Sequence, residues 1–491
     1  MSIKLFTIGD SISQGFMSLA AARTDLSYST LLAEKLGAHP DTDDYRYPKW
    51  PEGGLPVNLE TVLRRLTQRY GTNIRGLEWL TVLHTINEVM DRAEDYYERG
   101  AGKVDAPYQD GNIDYFHNIA VQGFDLADAW LVTPALCKRE IGLQDKAFPT
   151  DGYLTGPNAA FYRTALKVLN PSLDDRFDDF SAITWLETHA KAKGVENLVL
   201  WLGANNALGT VLDLKIRQTP NDEKQRPFTL SHLERAKIRR WNLWHPEDFK
   251  AEYEELLNRV DAAMKDNSFD QWKIFVGTIP LVTIAPVAKG VGSTTKIDGK
   301  GVYYKYYTYF PFEEEFAHKT GMHLTMQDAI HIDDCIRAYN RFIISHIKKR
   351  NAQHGQERYF VVDIAEALNK LAYKRNAGNP TYKLPKAFDY LHPQVNTKYY
   401  HADENGVLKQ GGIVSLDGVH PSVIGHGIIA YEFLQVMKEA GIVPNTSLNW
   451  DKIFANDLLY QQPIPLMHEL YGHDQLAAHL LKFIKLLSLK D

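Results

Sequence analysis

The sequence lacks several features that mark whole classes of protein. Its 491 residues include only two cysteines, Cys137 and Cys335, so a disulfide framework is not expected. Its 55 basic residues do not outnumber its 61 acidic residues, and a net charge of −6 offers no basic surface for nucleic acid. No fixed-period repeat and no low-complexity tract is present. The remaining class is an ordinary globular protein, with 44% hydrophobic and 24% charged residues.

Long apolar runs are also missing. No stretch reaches the length of apolar residues that spans a bilayer, so no membrane span is predicted. Met1 is followed almost at once by a predicted strand, without the positively charged segment and apolar stretch of a secretory signal. We therefore expect a cytoplasmic protein. A mature secreted chain that carries a replacement Met1 would have the same sequence features.

Five short apolar runs alternate with helical patterns along the chain. A run of this kind that ends at glycine or a polar residue is typical of a buried strand, and strand–helix alternation predicts an α/β protein with a parallel sheet. In a flavodoxin-like strand order, the first and third strands are neighbours where the winding reverses. The predicted strands cover residues 3–8, 113–121, 198–202, 273–277 and 359–364.

Ser11 directly follows the first predicted strand, in the sequence Gly-Asp-Ser-Ile-Ser at 9–13. Loops after the strands of a parallel sheet carry the chemistry in many α/β proteins, so Ser11 is placed where a nucleophile would lie. The alternative is that Ser11 caps the next helix, as serine often does.

Four further residues stand at comparable positions and suit acyl transfer. His420 can act as the base that a serine nucleophile needs, and Asp417, three residues earlier, can orient its imidazole. The backbone N–H groups of Ser11 and Gly123 and the side-chain amide of Asn205 can bind an oxyanion. Taken singly, His420, Asp417 and Asn205 also fit structural roles in turns and at helix starts. The sequence predicts Ser11, Asp417 and His420 as catalytic residues, and Ser11, Gly123 and Asn205 as the oxyanion hole.

Four short motifs resemble the GDSL, or SGNH, hydrolase family. They occur in the family's order: GDSIS at 9–13, NIAVQG at 118–123, LGANN at 202–206 and DGVH at 417–420. The resemblance covers the core elements and not the long insertions or the tail. One departure is Asn206, where the family usually has Asp, and another is Ile12 in place of Leu.

The resemblance implies a three-layer α/β/α fold. Together with the five-fold alternation of strands and helices, it leads us to expect a flavodoxin-like fold with a five-stranded parallel sheet, into which large insertions are placed. It also implies ester hydrolysis or transacylation through an acyl-enzyme on Ser11, with no metal and no organic cofactor. The expected substrate is a small-molecule, lipid or sugar ester. The acyl group, the alcohol and the oligomeric state are not specified by the sequence.

The chain is expected to hold one hydrolase core over residues 1–443 and a helical extension over residues 444–491. Irregular stretches rich in Pro, Gly and Asp interrupt the strand–helix alternation, and we interpret them as insertions that form a lid or a deep pocket. These insertions cover about 38–112, 128–180, 207–245, 283–325 and 370–412.

Other patterns favour structural interpretations. His468 and His473 are five residues apart, whereas the metalloprotease pattern needs four, and His323, His331, Asp333 and Asp334 lack a fixed metal-ligand spacing. Tyrosines at 303–309 follow an Asp-Gly pair and predict an aromatic hairpin, with one face packed inward or lining a pocket. Three alternatives to an esterase remain: an acyltransferase, a flavodoxin-like binding module that holds phosphate or flavin, and a non-catalytic interaction protein.

Overall fold

The computed structural model describes most of the chain. The described residues are 2–21, 23–40, 42–50, 54–56, 58–71, 113–147, 159–310, 312–395, 397–398, 400–402 and 408–464. The part of the predicted insertion at 72–112, most of the predicted C-terminal extension (465–491) and the pair His468 and His473 lie outside the described residues.

The described strands form one central sheet and three small ones. The central sheet is parallel throughout and has the order β1-β4-β5-β9. A hairpin of β6 and β7 carries β8 on its edge, while β2 pairs with β3 and β10 with β11. The strands are β1 Phe6–Gly9, β2 Phe16–Met17, β3 Ala20–Ala21, β4 Asn197–Trp201, β5 Lys273–Gly277, β6 Ala288–Ile297, β7 Gly301–Tyr309, β8 Leu324–Thr325, β9 Tyr359–Val362, β10 Tyr400–Ala402 and β11 Leu408–Gly411.

The central sheet is buried on both faces. Successive strand residues point to opposite faces, so Leu198 and Leu200 of β4 join one apolar cluster while Val199 and Trp201 join the other. This explains the continuous apolar run in β4, because a strand covered on both sides has no solvent face. The chain is therefore an α/β protein with helices on both faces of a parallel sheet.

The central sheet has four described strands, whereas five were predicted. The predicted second strand, residues 113–121, lies beside β1 on the expected side but forms only one bridge, between Thr7 and Asn118. Its backbone continues the pairing through Ile119 N–H to Thr7 O (3.1 Å) and Val121 N–H to Gly9 O (3.2 Å). The prediction that the first and third strands are neighbours is confirmed, since β1 pairs with β4 from Phe6 to Gly9.

The α-helices pack against the two faces of the central sheet and around its edges. Residues on Ala182–Ala192, Pro246–Met264 and Met326–His354 belong to one apolar cluster, and residues on Tyr28–Lys35 and Val423–Glu439 to the other. Among the described helices none combines the length and apolar character needed to cross a bilayer. The remaining helices are Ser11–Gln14, Leu59–Tyr70, Asp128–Leu131, Pro134–Ala147, Ala160–Leu169, Asn205–Asp213, Glu314–Thr320, Ile364–Leu371, Trp450–Asn456 and Leu458–Gln461.

Shorter helical turns interrupt the connections. The π-helical segment Glu234–Arg239 lies between the helices Asn205–Asp213 and Pro246–Met264, and it contributes Arg235 to the buried interior. The 3₁₀ turns are Thr24–Leu26, Asp175–Phe177, Pro227–Thr229, Val282–Ile284 and Lys386–Tyr390.

The predicted aromatic hairpin is confirmed. β6 and β7 pair antiparallel around the turn at Asp298 and Gly299, and Tyr303, Tyr307 and Tyr309 are buried in the core. The base of this hairpin is joined to the loop that carries Asp417, through Val287 N–H to Gly418 O at 2.9 Å. The buried tyrosines of the hairpin therefore pack in the core, and Val287, just before β6, contacts the loop of the candidate site.

Candidate active site

Ser11 lies at the carboxyl end of β1, at the start of the short helix Ser11–Gln14. Asp10 rather than Ser11 caps this helix, because its Oδ1 accepts the N–H of Ile12 at 3.1 Å. Ser11 therefore does not cap this helix, and the hydroxyl of Ser11 can make another contact. Ser11 is 6% exposed.

Asp417 and His420 lie on the loop before the helix Val423–Glu439. His420 Nε2 is 2.8 Å from the Oγ of Ser11, and His420 Nδ1 is 2.8 Å from Oδ2 of Asp417. The three side chains thus form one continuous hydrogen-bonded chain across 409 sequence positions. This arrangement is what a serine nucleophile, a base and an orienting carboxylate require.

The carboxylate of Asp417 is held by its own loop. Its Oδ1 accepts the backbone N–H groups of Val419 (2.9 Å) and His420 (2.8 Å). Burial alone would raise the pKa of Asp417, but the imidazole of His420 and the donated hydrogen bonds outweigh burial and lower it below its usual value. Asp417 is therefore ionised at neutral pH and can stabilise a protonated His420.

A tight turn between β2 and β3 completes the surroundings of Asp417. The N–H of Leu19 donates to Oδ2 of Asp417 at 3.0 Å. The N–H of Ser18 donates to the hydroxyl of Ser415, and the hydroxyl of Ser18 accepts the N–H of Leu416. Both Ser18 (φ 51°) and Leu19 (φ 68°) have left-handed backbone conformations, as a two-residue hairpin turn requires. Such conformations are costly outside glycine, and the surrounding contacts hold them.

Two neighbours fix the imidazole and the nucleophile loop. The ring of Phe16 packs on His420 with 4.6 Å between the ring centroids. Burial raises the pKa of Asp10 to about 6, although its hydrogen bond from Ile12 and the nearby His420 oppose the shift. A buried carboxyl group therefore lies next to the nucleophile in addition to Asp417.

Asn205 lies next to Asp10, and its side chain also contacts the residue after Gly123. Asn205 opens the helix after β4, and its Nδ2 donates to Phe124 O at 2.8 Å and approaches Oδ2 of Asp10 at 3.5 Å. Gly123 has a φ of +77°, which favours glycine at this turn. In the described part of the chain the N–H groups of Ser11 and Gly123 donate to no protein acceptor. The five predicted site residues therefore gather at one end of the sheet.

The loop after Gly123 is anchored by a buried ion network, which we call the Arg235 network and which consists of Asp125, Arg235 and Glu252. Arg235 Nη2 donates to Asp125 Oδ1 at 2.8 Å and to Glu252 Oε1 at 3.0 Å, and Glu252 also accepts the N–H of Ala127 at 3.1 Å. All three residues are buried. Burial would lower the pKa of Arg235, but the two carboxylates outweigh it and keep the guanidinium charged.

Asn206, the departure from the family pattern, faces the same loop. Its Oδ1 accepts the N–H of Leu126 at 3.2 Å, and the residue is fully buried. Its Nδ2 has no hydrogen-bond partner among the described residues. The contact to Leu126 needs only an acceptor, which an amide supplies as well as a carboxylate does.

A cavity of about 430 Å³ adjoins Gly123 and Asn205. Its wall also includes Arg217, Arg235 and Trp241 from the stretch between β4 and the helix Pro246–Met264. The predicted insertion at 207–245 therefore shapes the space next to the candidate oxyanion donors.

The other acidic and histidine candidates lie in structural contacts. Asp333 accepts from Tyr303 (2.7 Å) and pairs with Arg375 (2.8 Å), and Asp334 pairs with Lys300 at 2.6 Å. Across the described ranges no three His, Cys, Asp or Glu side chains are grouped to hold a metal ion.

Sequence reasoning missed Phe16, the Leu19 turn, Arg235 and Glu252. Phe16 and Leu19 follow the first motif directly, so their proximity to Ser11 was available as a signal. Arg235 lies in an insertion and Glu252 on a long helix, and no pattern distinguishes them from surface charges. No family model and no curated protein sequence matches this chain. Its function is therefore inferred from the site itself.

Proposed function

We propose that this chain is a serine ester hydrolase of the SGNH type. The observation that carries the proposal is the hydrogen-bonded chain from Ser11 Oγ through His420 to Asp417, with 2.8 Å at each link. The strand order around β1, with residues 113–121 on its outer side, agrees with the flavodoxin-like arrangement of that family. A binding module that holds phosphate or flavin has no use for the two partners of Ser11.

In the proposed acylation step, Ser11 Oγ attacks the carbonyl carbon of the ester while His420 Nε2 removes its proton. Asp417 stabilises the imidazolium that forms. The carbonyl oxygen becomes an oxyanion, which the N–H groups of Ser11 and Gly123 bind. The Nδ2 of Asn205 binds it as well when it gives up its longer hydrogen bond, to Asp10 at 3.5 Å. His420 then gives its proton to the leaving alcohol, and an acyl-enzyme remains on Ser11.

In the proposed deacylation step, water attacks the acyl carbon and His420 takes its proton. The same donors bind the second oxyanion, and Ser11 leaves with the proton from His420. An alcohol acceptor in place of water would make the enzyme an acyltransferase, as the sequence analysis also allowed.

The proposal is tested with p-nitrophenyl esters of graded chain length and with a fluorophosphonate probe. We expect turnover and probe labelling in the unmodified protein, and a loss of turnover of roughly 10⁴- to 10⁶-fold in Ser11→Ala. Ser13→Ala is the matched control. Ser13 lies on the same short helix, but its hydroxyl pairs with Tyr28 Oη at 2.7 Å and not with His420.

Three outcomes are informative. Equal turnover in Ser11→Ala and the unmodified protein would remove Ser11 from the mechanism. Absence of both turnover and probe labelling in the unmodified protein would favour the binding module. A rise in p-nitrophenol release with an added alcohol, together with a new ester product, would assign an acyltransferase.

A further inference from the structure

The cavity beside the candidate oxyanion donors is positioned to receive one substituent of the substrate carbonyl. Gly123 and Asn205 lie in its wall, whereas Ser11 and His420 do not. The leaving oxygen must face His420 to receive a proton, and the carbonyl oxygen must face Gly123 and Asn205. The remaining substituent of the carbonyl carbon is the acyl group, and the cavity is the space beside these donors that can receive it.

The wall of this cavity combines apolar surface with several charged side chains. Among the described residues of the wall, Leu212 is the one branched aliphatic side chain, and the others include three arginines and two aspartates together with Trp241 and Trp244. An alkyl chain would remove these charged groups from water without offering a hydrogen bond, which is unfavourable. An acyl group with a short apolar part and a polar end therefore matches this wall better than a long alkyl chain does.

The three arginines of the wall differ in whether the described residues give them a carboxylate partner. Arg217 pairs with Asp213, and Arg235 pairs with Asp125 and Glu252. The third arginine, Arg240, is exposed, and its guanidinium has no carboxylate partner in the part of the chain that the structure describes. An arginine with free donors binds a carboxylate in a two-pronged geometry, and such pairs are stronger than neutral hydrogen bonds.

The backbone keeps Arg240 at this position. It ends the π-helical segment with a φ of +52°, and its carbonyl accepts the Nε of Arg217 at 2.6 Å. Trp241 follows directly and also lines the cavity. Its ring supplies an apolar surface for a few methylene groups.

We propose that the preferred acyl group is short and ends in an anionic group, such as the half-ester of a dicarboxylic acid, and that Arg240 binds this anion. The inference rests on the proposed function, since it assumes that an ester carbonyl lies at Ser11. The expected substrate is therefore an ester whose acyl group ends in a charged group.

The kinetic test compares mono-p-nitrophenyl adipate with p-nitrophenyl hexanoate, which has the same chain length and no carboxylate. We expect kcat/KM for the adipate ester to be about tenfold higher or more, mainly through KM, after subtraction of uncatalysed release. Arg240→Gln should bring the ratio of the two esters close to one. Arg239→Gln is the matched control, because Arg239 is exposed, pairs with Glu234 and does not line the cavity.

A binding test separates this inference from the proposed function. Adipate is titrated into Ser11→Ala, and saturation is followed by calorimetry; we expect binding that Arg240→Gln abolishes. Ser11-dependent hydrolysis with equal kcat/KM for both esters would overturn the anionic acyl group and leave the esterase standing. Arg240-dependent adipate binding without any ester turnover would retain the anion site and reject the esterase. Failure of adipate to bind at millimolar concentration would also overturn the anion site.

Discussion

The two sides of the candidate site are built from different kinds of contact. On one side, Asp417 is held by the N–H groups of residues two and three positions further along the chain. On the other side, the loop after Gly123 is held by Asn206, Glu252 and Arg235, which are 80 to 125 positions away from the groups they contact. The first side is a local turn with one distant contact, from the N–H of Leu19 to Asp417, whereas every contact named on the second side is long-range.

This difference separates two kinds of failure. A change on the Asp417 side should reduce catalysis more than stability, because two backbone N–H groups of the same turn hold the side chain at position 417. A change in the Arg235 network should reduce stability first, because it leaves buried charges without partners.

The largest effect is expected from Asp417→Asn. The amide retains the size of the side chain, but it cannot stabilise a protonated His420 and it favours the wrong tautomer. We expect kcat on a p-nitrophenyl ester to fall about 10⁴-fold, with a small change in the free energy of unfolding. Asp298→Asn, on the exposed hairpin turn, is the control and should retain full activity. A fall of less than tenfold would show that Asp417 does not support the base.

Arg235→Met should give the second-largest effect. Without the guanidinium, Asp125 and Glu252 remain buried near each other, and the free energy of unfolding should fall by about 3–5 kcal/mol in urea titrations. Adding Glu252→Gln to this variant should restore part of the loss, since one unpaired carboxylate is removed. Arg239→Met, which breaks an exposed pair with Glu234, should cost less than about 1 kcal/mol. Equal losses in the two arginine variants would contradict a stabilising Arg235 network.

The same contrast explains which features the sequence could predict. Apolar runs and glycine stops predict strands, and four strands of the central sheet were found close to their predicted positions. Residues 113–121 failed to form a full strand because only the part from His117 onward follows β1. Ser11, Asp417 and His420 stand in short motifs that carry their own turns. Arg235 and Glu252 carry no local signal, because a buried ion pair is specified only by its distant partner.

Acid should weaken the Asp417 side through a buried histidine. Burial lowers the pKa of His426 to about 3, and its Nδ1 accepts the N–H of Tyr28 at 3.3 Å. The unfolded chain titrates near pH 6.5, so protons bind the unfolded state first as the pH falls. Titration of His426 therefore has no effect on the free energy of unfolding above about pH 6.5, and it lowers that free energy by about 2 kcal/mol by pH 5.

His426→Gln provides the measurement, because glutamine keeps an acceptor but does not titrate. The difference in unfolding free energy between pH 7.5 and pH 5 should be about 2 kcal/mol smaller in this variant than in the unmodified protein. Burial also lowers the pKa of His117 to about 3 and of His189 to about 4, so acid sensitivity should decrease without disappearing. An unchanged pH dependence would show that His426 is not buried in its neutral form.

The smallest effect is expected at Asn206, on the side of the loop after Gly123. In Asn206→Asp, Oδ1 still accepts the N–H of Leu126, and the amide nitrogen that lacks a partner among the described residues is replaced by oxygen. The new carboxylate is buried, and the substitution adds no cation that could pair with it. Burial should therefore raise the pKa of this carboxyl group. At a pH where this carboxyl group is ionised, it lowers the free energy of unfolding. The variant should therefore be less stable than the unmodified protein by about 1 kcal/mol at pH 8, and the two proteins should have nearly the same stability at pH 5.

Activity distinguishes the roles of the two oxygens in this variant. Because the acceptor for Leu126 is kept, the loop that carries Gly123 should keep its position, and kcat should change less than tenfold. Asn206→Leu removes the acceptor at similar volume, leaves the Leu126 N–H buried without a partner, and should lower both kcat and stability. If Asn206→Asp lost as much activity as Asn206→Leu, charge rather than hydrogen-bond acceptance would control the loop, and the two sides of the site would be coupled through electrostatics.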